Sequence, residues 1–308
     1  MKEIEKSKEN FLDYLKQEKN RKEKTIRNYD LYLNRFIEKT KISNPEAIQE
    51  EDIEEFKNWL QSYTDKYGEE INESTQNYHL IALRSFFKFL QKERENVAKP
   101  SKIELIQTPN REIKTITPED IKRILSATQK DVNKDILSLR DRSVIDTFLS
   151  IGLKVSELSK LKKKQINLDN GHIKLEKATV KIPLAQKTKE NITKYLNQRG
   201  GNNPFVFVSH DNRTNTNNEN KPISERSLQR LVKKQAKKAG IPYKVTPNIL
   251  RNTCLMHLLK NNANLMKIKE LAGHESIHAT KYYKTKAKKI KKNTFFSERY
   301  GDLISKLK

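Results

Sequence analysis

The sequence predicts a mainly α-helical protein with two domains and one small antiparallel β-sheet. Apolar residues recur at helical spacing throughout residues 1–97. Apolar and polar residues alternate in two short stretches between residues 172 and 182, which is typical of a β-hairpin. Residues 1–97 carry a net charge of −2 and residues 98–308 carry +26, so the net excess of positive charge lies in the second part. These patterns predict two modules of different chemistry.

Residues 1–97 are predicted to form a bundle of about four helices. Asn-Pro at 44–45 and the polar, glycine-containing stretch 65–74 would separate them. Aromatic residues at helical spacing pack in a core more often than they stack on bases, so we interpret them as core. The apolar stripes are Phe11, Leu12 and Leu15; Ile26, Tyr29, Leu33, Phe36 and Ile37; Ile53, Phe56 and Leu60; and Leu80, Leu83, Phe86, Phe87 and Leu90.

Residues 98–116 are predicted to be an interdomain linker, because they contain two prolines and little periodicity. The second domain, residues 117–308, then opens with a helix start signal. Thr117 suits the N-cap, Pro118 suits the first turn, and Asp120 adds negative charge near the positive end of the helix dipole.

The second domain mixes helices with a small sheet. After a helix through residues 141–151, the stretches 172–175 and 179–182 predict a hairpin, and 205–208 predicts another short strand. Ser224 is expected to cap a basic helix that ends at Gly240. Helices resume near Pro247, and a basic, lysine-rich tail follows that contains the spaced apolar residues Leu303, Ile304 and Leu307.

The amino-acid composition limits the classes of function that this chain can have. Lys and Arg number 63 against 39 Asp and Glu, which favours a polyanionic partner such as nucleic acid, although a lysine-rich solvated surface is an alternative. The single cysteine, Cys254, excludes an intramolecular disulfide framework and a cysteine-based zinc finger, and is expected in the core. No apolar run resembles a signal peptide or a membrane span, so we expect a soluble, cytoplasmic protein without membrane contact.

The stretch ELAGHESIHATKYYK, residues 270–284, has two interpretations. His274-Glu275-x-x-His278 fits the H-E-x-x-H motif of a zinc hydrolase, with Glu298 as a possible third ligand. That motif requires both histidines on one face of a continuous helix. Gly273 is a good helix terminator and Ser276 a good N-cap, which predicts His274 in a turn outside the helix that carries His278. The zinc hydrolase is therefore a remote alternative.

Three boxes, in order, resemble those of the tyrosine recombinases, the phage integrase and Xer group. SIGLKVSEL at 150–158 resembles T-G-L-R-x-S-E-L, PNILRNT at 247–253 resembles H-x-L-R-H-T, and ELAGH at 270–274 resembles L-L-G-H. Tyr283 lies nine residues after His274, as the family nucleophile does. The resemblance covers nearly the whole chain. It implies an N-terminal helical SAM-like core-binding domain and a C-terminal tyrosine-recombinase catalytic domain.

The resemblance also implies roles for individual residues. Tyr283 would attack a DNA phosphodiester and form a 3′-phosphotyrosyl intermediate, without a metal or ATP. Arg251 would hold the scissile phosphate, His274 would hydrogen-bond to it or assist proton transfer, and Glu157 would orient the site. Lys177 on the hairpin is our choice for the acid that protonates the leaving oxygen. The hairpin is shorter than the usual family form, so Lys174 and Lys181 remain candidates. Only Tyr283 has the family spacing, and we interpret Tyr282 as a packing residue.

Two positions depart from the family pattern. Lys154 replaces the arginine of the first box and loses its bidentate fork, and Asn248 replaces the first histidine of the second box and cannot carry a proton. Each change could weaken catalysis by the value of one preorganised donor, about 3–4 kcal/mol. A DNA-binding paralogue with little or no cleavage is therefore the main alternative to an active recombinase or integrase.

The resemblance also implies partners and assembly. Both domains would clamp double-stranded DNA, contacting mainly phosphates. Two protomers would bind each recombination site and four would form the synapse, with a related recombinase as a further candidate partner. The Leu303–Leu307 segment would pack against a neighbouring protomer. Such a protein would associate with the nucleoid.

Overall fold

The computed structural model describes residues 2–65, 67–92, 97–108, 112–129, 135–175, 181–210, 221–290 and 294–308. The chain divides into two compact units, Met1–Arg111 and Glu112–Lys308. Both are mainly helical, and the second contains the small antiparallel sheet, so the predicted fold class is confirmed. Among the described helices, none has the length and apolar composition that crossing a bilayer requires.

The first unit contains the four helices predicted from its apolar spacing. They are α1 (Glu3–Gln17), α2 (Glu23–Thr40), α3 (Glu50–Ser62) and α4 (Glu73–Leu90), with short 3₁₀ helices at Pro45–Ala47 and Pro100–Lys102. Apart from Leu12, the predicted stripes face one another in a single apolar core, because burying large apolar side chains is the main favourable contribution to folding. The largest of its fully buried side chains are Phe11, Phe36, Phe56, Phe86 and Phe87.

The described part of the segment between the predicted domains packs on its neighbours. Ile103 is buried in the core of the first unit, and the carbonyl of Ile103 accepts a hydrogen bond from Arg84. Ile116 is buried in the core of the second unit, where its main-chain N–H donates to Thr253 Oγ1 at 3.0 Å. The placement of the linker at 98–116 stays a prediction.

The second unit arranges helices around one large apolar core, with a three-stranded sheet at its side. Its helices are α5 (Pro118–Gln129), α6 (Ile136–Ile151), α7 (Val155–Ser159), α8 (Gln186–Arg199), α9 (Glu225–Lys238), α10 (Pro247–Lys260), α11 (Leu265–Ala272), α12 (Ile277–Ala287) and α13 (Thr294–Leu307). Its strands are β1 (Ile166–Asn167), β2 (His172–Ile173) and β3 (Ile182–Pro183), and a 3₁₀ helix spans Lys163–Gln165.

The predicted helix boundary signals match the structure. Thr117 Oγ1 accepts a hydrogen bond from the main-chain N–H of Asp120 at the start of α5, and Ser224 Oγ accepts from Ser227 N–H at the start of α9. Gly240 follows α9 with a positive φ of 67°. These caps satisfy main-chain groups that a helix end leaves without intrahelical partners.

The hairpin is present, but the strand predicted at 205–208 is wrong. β2 pairs with β1 and β3 in antiparallel register, with Ile173 opposite both Ile166 and Ile182. Residues 176–180, which include Lys177, lie outside the described residues. Phe205 makes only an isolated bridge to Lys162, while Val206 and Phe207 are fully buried. The apolar run therefore reflects burial of a turn, which periodicity cannot distinguish from a short strand.

Helix α13 packs on its own chain, which differs from the expectation that Leu303–Leu307 contacts a neighbouring protomer. Leu303, Ile304 and Leu307 are buried in the core of the second unit. The fully buried Asp146 on α6 explains why the helix docks here. Its Oδ1 accepts from Tyr300 Oη at 2.9 Å and from Arg299 Nη2 at 2.6 Å, so the docked helix supplies the partners that a buried carboxylate requires.

Helices α6 and α10 approach closely where α6 ends. Gly152 terminates α6 in the left-handed region, with φ of 66°. A Cβ atom added at Gly152 would lie 3.3 Å from Cys254 Sγ on α10, which is tighter than ordinary van der Waals contact. Cys254 is buried, as predicted, and its thiol donates to Ser150 O at 3.1 Å. Only glycine fits this turn without strain.

We predict that Gly152→Ala lowers the free energy of unfolding by about 1–2 kcal/mol, because an L side chain in the left-handed region is strained. Chemical denaturation measures the change. Gly301→Ala is the matched control, because Gly301 lies within α13 and an added Cβ would meet nothing within 4 Å. The control is expected to be neutral or slightly stabilising. Equal effects of the two substitutions would contradict the proposed strain at Gly152.

Candidate active site

A buried arginine forms the centre of the candidate site. Helix α10 begins at Pro247 after the N-cap Thr246, and its second turn places Arg251 inside the domain with 7% of its surface exposed. Arg251 Nη1 donates to Gly152 O at 2.5 Å, and Nη2 donates to Ala272 O. Burial lowers the pKa of Arg251, and nearby Glu157 opposes that shift. The guanidinium nevertheless stays protonated, because an arginine side chain does not lose its proton in proteins.

Lys154 and Glu157 lie at the same turn as Arg251. Lys154 Nζ donates to Gly273 O at 3.2 Å, so its ammonium contacts the carbonyl next to the one that Arg251 contacts. Glu157 Oε2 accepts from the main-chain N–H of Lys154 at 2.7 Å, and Oε1 lies 3.9 Å from Lys154 Nζ. The carboxylate therefore fixes the backbone at the start of α7 and partly neutralises the lysine.

His274 follows the turn at Gly273. Gly273 ends α11 in the left-handed region, with φ of 55°, and Ser276 caps α12, as predicted. His274 Nδ1 shares a hydrogen bond with the buried Thr280 Oγ1 at 2.9 Å. Burial lowers the pKa of His274, and the positive charges of Arg251 and Lys154 lower it further. The imidazole is therefore neutral near pH 7.

The helix break separates the two histidines of the zinc-like motif. His274 lies between α11 and α12, whereas His278 is the exposed second residue of α12. One continuous helical face is a requirement of the H-E-x-x-H site, and it is not met here. Within the described ranges, no three His, Cys, Asp or Glu side chains come together in a way that could hold a metal ion.

Tyr283 projects from α12 towards His274 and α10. Its ring centroid lies 5.4 Å from that of His274, and its hydroxyl donates to Asn252 Oδ1 at 2.8 Å. Burial raises the pKa of Tyr283, and the charge of Arg251 partly offsets the increase. Tyr282 is 37% exposed, with Lys286 over its ring, and its interpretation as a packing residue stays a prediction. The two adjacent tyrosines point in different directions, as expected on a helix.

Asn252 is a site residue that the sequence analysis missed. Its amide contacts the hydroxyl of Tyr283 and also donates from Nδ2 to Lys114 O at 3.2 Å. The signal was present in the second box, where Asn252 stands at the position of the second histidine of H-x-L-R-H-T.

The remaining predicted residues lie outside this cluster. Asn248 is exposed at the start of α10, one turn before Arg251, and lines a cleft of about 520 Å³. The charged residues that line this cleft, within the described part of the chain, are all basic: Arg226, Arg230, Lys233 and Lys244. Lys174 follows β2 and Lys181 precedes β3, and both are exposed; Lys177 lies outside the described residues.

We predict that Lys154→Met raises the pKa of His274. A nearby positive charge disfavours the imidazolium, so removing it lets the imidazole bind a proton at higher pH. An NMR titration of the His274 ring, assigned with a His274→Asn variant, measures the shift. Lys187→Met on α8, a lysine paired with Glu190, is the control and should leave this pKa unchanged. An unchanged titration in the Lys154 variant would contradict the electrostatic coupling.

Two family models match the chain in its two units. The model described as the phage integrase family matches residues 114–289, and the model described as the phage integrase N-terminal SAM-like domain matches residues 9–94. Similar proteins include tyrosine recombinase XerC of Thermodesulfovibrio yellowstonii, which is 31% identical over 89% of each chain. XerC of Pelobacter propionicus is 30% identical over 89% of this chain and 88% of the relative.

The structure also resembles solved recombinases. A lambda integrase tetramer bound to a Holliday junction superposes with a TM-score of 0.71 at 16% identity, covering 94% of this chain and 79% of that one. At this identity the likeness concerns the fold, whereas the family models and the relatives concern the sequence. The chain therefore belongs to the phage integrase family and is a tyrosine recombinase, an enzyme of site-specific DNA recombination.

Proposed function

We propose that this recombinase cleaves and rejoins DNA with Tyr283 as its nucleophile. The observation that carries the proposal is the grouping of Tyr283, His274 and the buried Arg251 around one turn. The rings of Tyr283 and His274 are adjacent, and the charge of Arg251 acts on both groups. A nucleophile, a hydrogen-bonding imidazole and a fixed cation are what phosphodiester transfer requires.

The proposed reaction exchanges one phosphodiester for another. The Tyr283 oxygen forms a bond to phosphorus, the bond from phosphorus to the DNA 5′-oxygen breaks, and the phenolic proton passes to solvent. The departing 5′-oxygen takes a proton and becomes a free hydroxyl. The 5′-hydroxyl of a second strand then attacks the 3′-phosphotyrosyl bond and releases Tyr283. The covalent intermediate retains the bond energy, so the cycle consumes neither ATP nor a metal-activated water.

Arg251 is proposed to hold the scissile phosphate. A guanidinium has five N–H donors, and the carbonyls of Gly152 and Ala272 use two of them. The others can stabilise the negative charge that develops on the phosphate oxygens in the transition state. Burial makes this charge more effective than it would be in water, because the surrounding dielectric is lower.

Lys154, His274 and Asn248 are proposed to supply further contacts to the same phosphate. Lys154 is held to Gly273 O and lies within reach of Glu157, which we propose orients it. His274 would donate a hydrogen bond as a neutral imidazole. Asn248 can donate from its amide but cannot transfer a proton, so any acid-base work falls to other groups.

Lys177 is proposed as the acid that protonates the 5′-oxygen. An ammonium on a hairpin can reach the leaving group once DNA is bound. The alternatives Lys174 and Lys181 are exposed beside β2 and β3, at the two ends of the described hairpin. Substituting each of the three lysines separately would identify the acid.

Double-stranded DNA is the proposed partner, and the basic cleft beside Asn248 is a proposed contact surface. Arg226, Arg230 and Lys233 on α9 face this cleft together with Lys244. The proposed domains, 1–97 and 117–308, would both contact the duplex, mainly through phosphates.

Two protomers at each site and four in the synapse are also proposed, as the tetrameric state of the solved lambda integrase complex suggests. Such a protein would associate with the nucleoid, and a related recombinase is a further candidate partner.

We predict that Tyr283→Phe abolishes the covalent protein–DNA adduct, because phenylalanine lacks the attacking oxygen. The assay uses a DNA substrate with a nick near the cleavage point, which traps the intermediate, and denaturing electrophoresis detects it. Tyr282→Phe is the matched control and should retain the adduct. DNA binding without any adduct in the unaltered protein would favour a DNA-binding paralogue. Loss of the adduct on adding a metal chelator would instead favour metal-dependent chemistry.

We predict that Lys154→Arg increases the single-turnover cleavage rate by about tenfold. An additional hydrogen bond to a charged group contributes about 1.5 kcal/mol, which corresponds to that factor in rate. Lys160→Arg at the C-terminal end of α7 is the control and should leave the rate unchanged. A lower rate in the Lys154 variant would mean that the turn at Gly273 is built around the slimmer lysine.

A further inference from the structure

The hydroxyl of Tyr283 is held in place by Asn252. The phenol donates to Asn252 Oδ1 at 2.8 Å, and Asn252 is half-buried on α10, next to Arg251. An asparagine amide carries an acceptor oxygen and a donor nitrogen, which can exchange places by rotation. The direction of the hydrogen bond to Tyr283 therefore depends on what fixes the amide.

Lys114 fixes the orientation of that amide. Asn252 Nδ2 donates to the main-chain carbonyl of Lys114 at 3.2 Å. A rotated amide would place its oxygen against this carbonyl, and two acceptors would then face each other without a proton. The carbonyl of Lys114 therefore selects the orientation in which Oδ1 faces Tyr283. In that orientation the tyrosine hydroxyl must act as the donor.

This arrangement favours the neutral phenol. An amide oxygen accepts a hydrogen bond but does not take up a proton near neutral pH, so it is not a general base for Tyr283. A phenolate at the same position would face the partial negative charge of Oδ1 without a proton between them. Hydrogen bonding to the protonated form of a group disfavours its ionisation.

We propose that Asn252 is a positioning residue that holds Tyr283 as a hydrogen-bond donor in the DNA-free enzyme, with its amide oriented by the carbonyl of Lys114. When DNA binds, a phosphate oxygen becomes an alternative acceptor, and the phenol can leave the amide to attack phosphorus. The proposal concerns the state before cleavage and rests on the proposed role of Tyr283 as the nucleophile.

The same amide ties the nucleophile to the first residues of the second unit. Asn252 holds the carbonyl of Lys114, and its neighbour Thr253 accepts from the main-chain N–H of Ile116 at 3.0 Å. Two consecutive residues of α10 therefore fix the segment that begins this unit. A displacement of that segment would remove the acceptor that orients Asn252. The state of the Tyr283 hydroxyl is thus coupled to the position of this segment.

Three other groups contribute to the electrostatic environment of Tyr283. Arg251 on α10 favours ionisation of the phenol, Tyr282 on α12 slightly disfavours it, and the His274 ring lies beside it. His274 has a lowered pKa and is neutral at the alkaline pH at which a phenol titrates. Every variant below retains these groups, so a difference in the pKa of Tyr283 between two variants is caused by the residue at position 252.

The decisive experiment titrates Tyr283 in the DNA-free, full-length protein. Tyrosine labelled with ¹³C at Cζ gives an NMR signal that responds to ionisation, and Tyr283→Phe assigns the signal of residue 283. We expect Asn252→Ala to lower the pKa of Tyr283 relative to the unaltered protein, because the acceptor for the neutral form is lost and no apolar bulk replaces it. We expect Asn252→Asp to raise it, because a carboxylate repels the phenolate.

Shifts of opposite sign support the proposal, because a general loosening of the structure would move both variants in the same direction. An unchanged midpoint in both variants, or equal shifts of one sign, would overturn it. Asn252→Asp is nearly isosteric, so the test does not depend on the folding of the alanine variant. A midpoint that fails to rise in the aspartate variant would overturn the proposal by itself.

Cleavage of the nicked substrate gives a second measurement. The pH midpoint of adduct formation at DNA concentrations well below saturation, which reports the free enzyme, should move in the same order, alanine below the unaltered protein and aspartate above it. DNA affinity of the alanine variant should stay within about twofold, since the proposed role precedes binding. The negative charge of the aspartate variant is expected to weaken DNA binding. An absence of adduct at every pH, together with opposite shifts in the DNA-free titration, would reject Tyr283 as the nucleophile while supporting the role of Asn252 in holding it.

Discussion

The candidate site depends on the burial of one positive charge. Arg251 lies inside the second unit, and a buried guanidinium is stable only if its N–H groups find acceptors. Two helices supply them, because α6 and α11 both end in left-handed glycine turns and leave their last carbonyls without helical partners. Gly152 O and Ala272 O bind the arginine, and Gly273 O binds Lys154. Gly152 and Gly273 therefore have the same structural role. Each ends a helix so that main-chain carbonyls face Arg251 or Lys154.

Burial and positive charge together set the protonation states at the site. Burial lowers the pKa of His274 and the charge of Arg251 lowers it further, so the imidazole is neutral. Burial and the hydrogen bond to Asn252 favour the neutral phenol of Tyr283, and the charge of Arg251 opposes them only in part. The free site therefore combines the cations of Arg251 and Lys154, the carboxylate of Glu157 and two neutral rings. In the proposed reaction such a site would attract a phosphate before any proton moves, so binding and chemistry would occur in sequence. A nucleophile that ionised too early would repel the same phosphate.

Much of this architecture follows from local signals. Caps at Thr117, Ser224 and Ser276 predicted helix starts correctly, because a hydroxyl that caps a helix acts within a few residues. Contacts between residues that are distant in the sequence were harder to predict from it. The apolar run at 205–208 is a buried turn, and α13 packs on its own chain. Asn252 was missed because its importance arises from two partners, Lys114 and Tyr283, that are distant in sequence.

The hydrogen-bonded group at Asp146 limits how the protein can be engineered. A variant lacking α13 would lose Arg299 and Tyr300 together, leaving a carboxylate inside the protein with Thr188 and Asn191 as its remaining neutral partners. Breaking such a buried pair from one side costs about 3–5 kcal/mol, a large fraction of the stability of a typical domain. Truncation, or a fusion that unwinds this helix, would therefore act on the folding of the catalytic unit before it could affect assembly.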